Sequence, residues 1–148
     1  MILITVGTTP FDNLIKHIDE NAPQELDLLF QIADGDYEPT RFSWFSFTDD
    51  INNLYREAEL VICHAGAGTV YTLLEMVQRI IVIPNLSRKD VHQTELAKFV
   101  EDNNYGAVCW SINDVFHTLS QISGRKFLTY EKDPFFFDGI LSSMIKNV

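Results

Sequence analysis

The chain is poor in cysteine, poor in basic residues and without a long apolar run, and each shortage removes a class of function. Cys63 and Cys109 are its only cysteines. Both sit in apolar strand-like runs and no Cys/His spacing suits a metal, so the expectation is buried, reduced thiols. Lys and Arg total 11 against 21 Asp and Glu, a formal net charge of −10. A surface of that sign repels a polyphosphate backbone and an anionic bilayer, which argues against nucleic-acid binding and against direct electrostatic docking on a membrane. No stretch approaches the roughly 18 apolar residues of a membrane span. The apolar start, Met1 to Val6, lacks a basic n-region and reads as a first strand, not a signal peptide. The expected location is therefore the cytoplasm, with any membrane contact made through a partner. Internal repeats, charge blocks and Pro/Gly/Ser linkers are also missing.

What is present is organised around residues 60–84, LVICHAGAGTVYTLLEMVQRIIVIP. Leu60 to Cys63 is an apolar run suited to a strand buried on both faces. His64, Ala65, Gly66, Ala67, Gly68 and Thr69 break it. Glycines there allow close approach of a ligand and φ values closed to other residues. The spacing predicts a helix from about Ala67 to Val77, whose free N–H groups and positive dipole end face the turn, an arrangement that attracts anions and phosphate above all. Ile80 to Ile83 is the next buried strand, and Pro84 ends it. This glycine turn matches neither the dinucleotide fingerprint, since Tyr71 stands at the third glycine position, nor a Walker A loop, since no Gly-Lys-Ser/Thr follows. On these residues alone a nucleotide diphosphate cradle and a plain tight turn both remain open.

The rest alternates strand and helix. Ile2 to Val6 is a strand and Gly7-Thr8-Thr9 a turn. Thr9 is then expected to cap a helix, with Pro10 in its first position, Asp12 at capping-box spacing, and Phe11, Leu14, Ile15 and Ile18 on one face. That gives a second potential anion site built like the first. Leu26 to Ala33 is a strand and residues 34–39 a polar loop. Phe42, Trp44, Phe45 and Phe47 mark an aromatic strand, and Thr48 is placed to cap a helix carrying Ile51, Leu54, Tyr55 and Ala58. Asp90, with Gln93 at capping-box spacing, opens a helix from Val91 to about Asn103. Ala107 to Trp110 is a short strand, and Ser111 and Asp114 cap a last helix that Gly124 ends. The pattern predicts an α/β fold, a Rossmann-like parallel sheet with helices on both faces, with ligands beyond the C-terminal strand ends. Residues 1–126 would form this domain. Residues 127–148, dense in Phe127, Tyr130, Phe135, Phe136, Phe137, Ile140, Leu141, Met144 and Ile145, would be a final helix of the same domain or a surface for a partner subunit.

Two further constellations have more than one reading. Asp34 and Asp36 could hold a divalent metal for nucleotide-sugar chemistry, or Asp34-Gly35-Asp36 could be plain turn chemistry. His64 and His92 could be acid–base groups. Because His92 and Gln93 stand at a helix N-terminus, where an imidazolium is disfavoured, a neutral hydrogen-bonding role suits His92 better than a general base.

Four segments in order, VGTTPFDNLI (6–15), QIADGDYEP (31–39), ICHAGAGTVYTLLE (62–75) and HQTELA (92–97), resemble the C-terminal, donor-binding half of the family 28 glycosyltransferases, which includes MurG. The likeness is greatest to stand-alone small subunits of two-part enzymes. These are the PssE-type subunits of bacterial exopolysaccharide and capsule synthesis, and the small subunit of the eukaryotic transferase adding the second GlcNAc of the dolichol-linked oligosaccharide. The resemblance implies half of a GT-B fold that takes a UDP-sugar as substrate and needs no metal or other cofactor. The acceptor half would be a separate membrane-associated chain of PssD type, which holds a lipid-linked acceptor and supplies the general base. By position, Gly7, Thr8, Thr9, His64, Gly66, Ala67, Gly68 and Thr69 would meet the diphosphate. Phe47 and Thr48 would meet the uracil, and His92 and Gln93 the donor sugar and phosphate. Where the family carries a Glu that contacts the ribose hydroxyls, this chain has Thr72, with Glu75 one turn later. A non-catalytic stabilising or regulatory subunit is the alternative that Thr72 favours.

Overall fold

A computed structural model describes residues 1–88 and 90–132. Its frame is a six-stranded sheet in the order β3-β2-β1-β4-β5-β6. The strands are β1 (Ile2–Thr5), β2 (Leu28–Gln31), β3 (Ser43–Phe45), β4 (Leu60–His64), β5 (Ile80–Ile83) and β6 (Ala107–Val108), and every pairing is parallel. The helices are α1 (Asp12–Asn21), α2 (Ile51–Glu57), α3 (Ala67–Glu75), α4 (Val91–Asp102) and α5 (Val115–Ile122), the last entered through a short 3₁₀ turn, Ile112–Asp114.

The apolar strands explain why the sheet is covered on both sides. Successive side chains point to opposite faces, and in β1, β4 and β5 both sets are buried. Ile2, Ile4, Ile62, Ile81 and Ile83 pack with Leu14, Ile15, Ile18, Val115 and Ile122 of α1 and α5. Leu3, Val61, Cys63, Ile80 and Val82 pack with Tyr55, Val70, Leu73, Leu74, Ala97 and Val100 of α2, α3 and α4. The two cysteines are buried and unbonded to one another, and burial pushes the Cys63 thiol up to about 12. No helix among the described residues is long and apolar enough to cross a membrane.

Several local expectations need correction. Helix α1 starts at Asp12, not Pro10. Phe11 is its N-cap, and no side chain caps it. Asp12 is drawn away to the 34–37 loop, where its carboxylate accepts the N–H groups of Asp36 (3.2 Å) and Tyr37 (3.4 Å). The first turn of α1 thus carries an acid, and it is no twin of the α3 turn. Thr48 does not cap α2, whose N-cap is Asp50; its hydroxyl accepts the Asp50 N–H in a local turn. Asp90 does cap α4 through the His92 N–H, but Gln93 closes no capping box, because its amide oxygen accepts the Asn85 N–H at 2.8 Å. Strand β2 is shorter than expected. The Leu26 N–H turns back to the Pro23 carbonyl, and Ala33 leaves the strand in the left-handed region. No helix separates β2 from β3. The loop between them is held to α1 by the buried Asp19 carboxylate, which accepts hydrogen bonds from the Tyr37 hydroxyl and from the Thr40 and Arg41 N–H groups.

Past α5 the chain crosses beneath the N-terminal ends of β5 and β6. The Arg79 guanidinium donates to the Ile122 and Arg125 carbonyls, and the Leu128 N–H donates to the Asn104 carbonyl at 2.8 Å. Tyr130 then reaches α3 and closes a ring of aromatic contacts, Tyr71 to Phe99 to Tyr105 to Tyr130 and back, with centroid separations of 5.4 to 6.1 Å. The apolar positions from Phe135 to Ile145, expected as a final helix or partner surface, lie outside the described residues.

Candidate functional site

The sheet order reverses between β1 and β4: β2 and β3 lie on one side, β5 and β6 on the other. Chains leaving two adjacent parallel strands in opposite directions open a crevice at their C-terminal ends, the usual ligand position in such sheets. The two glycine turns stand there side by side. A cleft of about 920 Å³ opens over them, lined by Gly7, Thr8 and Thr9 after β1, His64 to Thr69 at the start of α3, Ile51, Asn52 and Tyr55 of α2, and Asp90, His92 and Gln93 at the start of α4.

The β1 turn is held from below by Gln31. Its amide oxygen accepts from the Thr5 hydroxyl (2.6 Å) and the Val6 and Gly7 N–H groups (both 3.0 Å), and its amide nitrogen donates to the Gly7 and Ser46 carbonyls (both 2.8 Å). The side chain ties β1, β2 and β3 together at the edge where the cleft opens. Gly7 has φ +68, a region that favours glycine, and a Cβ there would lie 2.7 Å from His64 Cε1. A Cβ on Gly66 would run into the same imidazole. The His64 ring therefore fills the space between the two glycine turns. It is 9% exposed, and its Nδ1 is buried without a hydrogen bond. Burial lowers its pKa, partly offset by the Thr5 backbone, so the ring is neutral at neutral pH.

Helix α3 opens on Gly66 with no side-chain cap. Its first intrahelical bond runs from the Val70 N–H to the Gly66 carbonyl, which leaves the N–H groups of Ala67, Gly68 and Thr69 facing the cleft with the positive end of the helix dipole behind them. Gly68 differs from the other two glycines, because a Cβ there would meet nothing within 4 Å. One turn on, the Thr72 hydroxyl lines the cleft while donating to the Gly68 carbonyl at 2.7 Å. Its hydrogen is thus engaged, and it can serve an incoming hydroxyl only as an acceptor. Tyr55 is buried on the opposite wall, and burial raises the pKa of its phenol.

The structure gathers Gly7, Thr8, Thr9, His64, Gly66, Ala67, Gly68, Thr69, Thr72, His92 and Gln93 around one cleft. Phe47 and Thr48 do not line it. They follow β3 at the same sheet edge, with Phe47 56% exposed, while α2 presents Ile51, Asn52 and Tyr55 to the cleft instead. His92 is exposed at the cleft's edge, its Nδ1 3.5 Å from the Glu95 carboxylate. The Asp34-Gly35-Asp36 loop lies against α1, where Asp12 fills the space beside Gly35. Sequence reading missed Gln31, Tyr55 and Tyr71. The available signal for Gln31 was a lone polar residue closing the apolar strand Leu28-Leu29-Phe30.

The model of the glycosyltransferase family 28 C-terminal domain matches residues 1–122. The human UDP-N-acetylglucosamine transferase subunit ALG13 is 35% identical over 124 residues, covering 73% of this chain and 11% of the human protein. Among solved structures, Acinetobacter baumannii MurG superposes with a TM-score of 0.58 at 25% identity, over 82% of this chain and 41% of that one. The solution structure of ALG13 superposes at 0.64 and 18% identity, over 88% of this chain and 89% of that one. The chain thus spans a small part of its human relative and less than half of MurG.

Proposed function

The chain belongs to the glycosyltransferase family 28 C-terminal domain family, and from that premise we propose that it is the donor-binding subunit of a two-subunit, UDP-sugar-dependent glycosyltransferase. The observation that carries the proposal is the cleft over the switch point, with the uncapped α3 N-terminus and the buried His64, whose Nδ1 has no hydrogen bond, on its floor. The UDP diphosphate would lie against the N–H groups of Ala67, Gly68 and Thr69, within reach of Thr8 and Thr9. The nucleoside would extend toward Ile51, Asn52 and Thr72, with Phe47 and Thr48 at its outer end, and the sugar toward His92 and Gln93. Transfer breaks the bond between the sugar and the diphosphate, and negative charge grows on UDP as it leaves. Preorganised N–H groups and a helix dipole favour that charge without a metal.

His64 is a poor general base, being neutral, buried and wedged between the glycine turns. The partner would supply the base together with the acceptor site. The human relative is itself named a transferase subunit, which supports a divided enzyme. A PssE-type role follows as the finer reading, with a PssD-type membrane-associated partner, a lipid-linked acceptor of a capsule or exopolysaccharide, and a cytoplasmic position at the membrane's inner face. Titration calorimetry of the chain with UDP, with and without Mg²⁺, tests the donor site. Metal-independent binding is expected, and no binding at millimolar UDP even with the partner present would refute it. One observation favours a stabilising, non-catalytic subunit: Thr72 offers the ribose a single acceptor where a carboxylate would hold it more strongly.

A further inference from the structure

A UDP-sugar brings two negative charges into the cleft, and the lining does little to balance them. Among the described residues that line it there is no Lys or Arg, while Asp90 and Glu95 add two carboxylates. The α3 dipole contributes on the order of half a charge at its N-terminus. Most of the described basic residues are placed elsewhere. Arg41 is bound to the Asp19 carbonyl and Gln24. Arg79 is fixed under the opposite edge of the sheet, with Arg125 and Lys126 beside it. Lys16, Arg56 and Lys98 stand on the bodies or far ends of α1, α2 and α4. Among the described arginines, Arg88 is placed differently. It lies in the loop from β5 to α4, at the sheet edge where the cleft opens, two positions before the lining residue Asp90. Its backbone is held by the Asn85 carbonyl at 3.3 Å, and its exposed side chain makes no hydrogen bond or ion pair among the described residues.

We infer that Arg88 is the charge-compensating residue of this site, its guanidinium turning onto the diphosphate of the bound nucleotide from the α4 side while the α3 N–H groups hold it from below. Guanidinium suits this task, because its fork of N–H donors pairs with phosphate oxygens in two parallel bonds and stays charged at any working pH. The placement also gives the reaction a direction. The positive charge sits on the leaving diphosphate, away from the α2 side where the nucleoside lies, so it strengthens as UDP departs.

The inference rests on the donor-site reading, and one set of titrations separates the two. The wild-type chain, Arg88→Gln, Arg88→Glu and the control Lys126→Gln, a lysine at the opposite edge, are each titrated with UDP and with uridine. Removing one bidentate charged contact to phosphate is expected to weaken UDP about tenfold in Arg88→Gln. Charge reversal in Arg88→Glu should weaken it further, with uridine unchanged in both variants and Lys126→Gln unchanged for either ligand. If both Arg88 variants bind UDP as the wild type does, or lose uridine in parallel with UDP, Arg88 has no part in diphosphate recognition. If the wild-type chain binds no UDP at millimolar concentration even with the partner present, the donor-site reading fails first and this inference falls with it.

Discussion

Gly68 offers the sharpest test of the site, because stability and binding pull in opposite directions there. It occupies the first turn of α3, where glycine costs about 0.5–1 kcal/mol relative to alanine in backbone entropy. Nothing in the structure demands a glycine: its φ is not in the left-handed region, and a Cβ would meet no atom within 4 Å. Gly68→Ala should therefore stabilise the free protein by about 0.5–1 kcal/mol, a rise of about 1–4 °C in Tm for a domain of this size. The β-branched valine gives back part of that gain, so Gly68→Val should leave stability near the wild-type value.

UDP affinity should move the other way. The new methyl projects into the cleft, between the diphosphate and the N–H groups of α3. Losing about 2 kcal/mol of charge-assisted hydrogen bonding lowers affinity roughly thirtyfold in the alanine variant, and valine should abolish binding at millimolar UDP. The assays are a thermal melt by circular dichroism and a calorimetric titration with UDP on the same preparations. If Gly68→Val melts like the wild type and still binds UDP with unchanged affinity, the α3 turn is not the diphosphate site. If Gly68→Ala lowers Tm, the glycine has a structural purpose and the argument from its open surroundings is refuted.

Two further predictions concern the scaffold. Val77 follows α3 at φ +58, closing a Schellman turn in which its own N–H donates to Leu74 and the Gln78 N–H donates to Leu73. A β-branched residue is strained there, and Val77 is 65% exposed, so Val77→Gly should raise stability by about 1 kcal/mol in urea denaturation; a loss of stability would show that the exposed side chain packs after all. The Asp19–Tyr37 pair should mark both ends of the pH–stability curve. Burial alone would raise the Asp19 carboxyl, but the bonds from Tyr37, Thr40 and Arg41 outweigh it and its pKa lies below the ordinary value. The stability it contributes is thus complete above about pH 4 and lost as pH falls further. The bond to Asp19 pushes the Tyr37 phenol up to about 12, and that contribution is complete below about pH 10 and lost on the way to 12. In Tyr37→Phe, urea midpoints between pH 10 and 12 should lose this component of their decline; an unchanged alkaline slope would refute the pairing.

Strand–helix alternation and the two glycine turns were legible because they depend on local patterns: apolar runs, glycine spacing and helical periodicity. The caps were misread because each rested on one spacing with several possible partners. Asp12 and Gln93 stand at capping-box positions, yet their side chains reach the 34–37 loop and Asn85 instead. Such contacts join residues distant in sequence, and no local signal ranks them. Gln31 was hidden for the same reason. It stands within a strand, while its function lies in five hydrogen bonds to two other segments, residues 5–7 and Ser46. The loop after β3, with Phe47 and Thr48, stands outside the cleft lining, while the inward turn of α2 brings Ile51, Asn52 and Tyr55 to it.

The aromatic ring of Tyr71, Phe99, Tyr105 and Tyr130 gives the fold a mechanical linkage. Tyr71 and Phe99 belong to the wall of the cleft, and Tyr130 belongs to the strap that leaves α5 and passes under the sheet. The family model ends at residue 122, so this strap lies beyond it and yet braces the cleft from outside. A tension applied to the chain past Lys132 would be transmitted through Tyr130 to the two helices that flank the cleft, and cutting the chain before Tyr130 would remove the ring that braces Tyr71 and Tyr105 from outside.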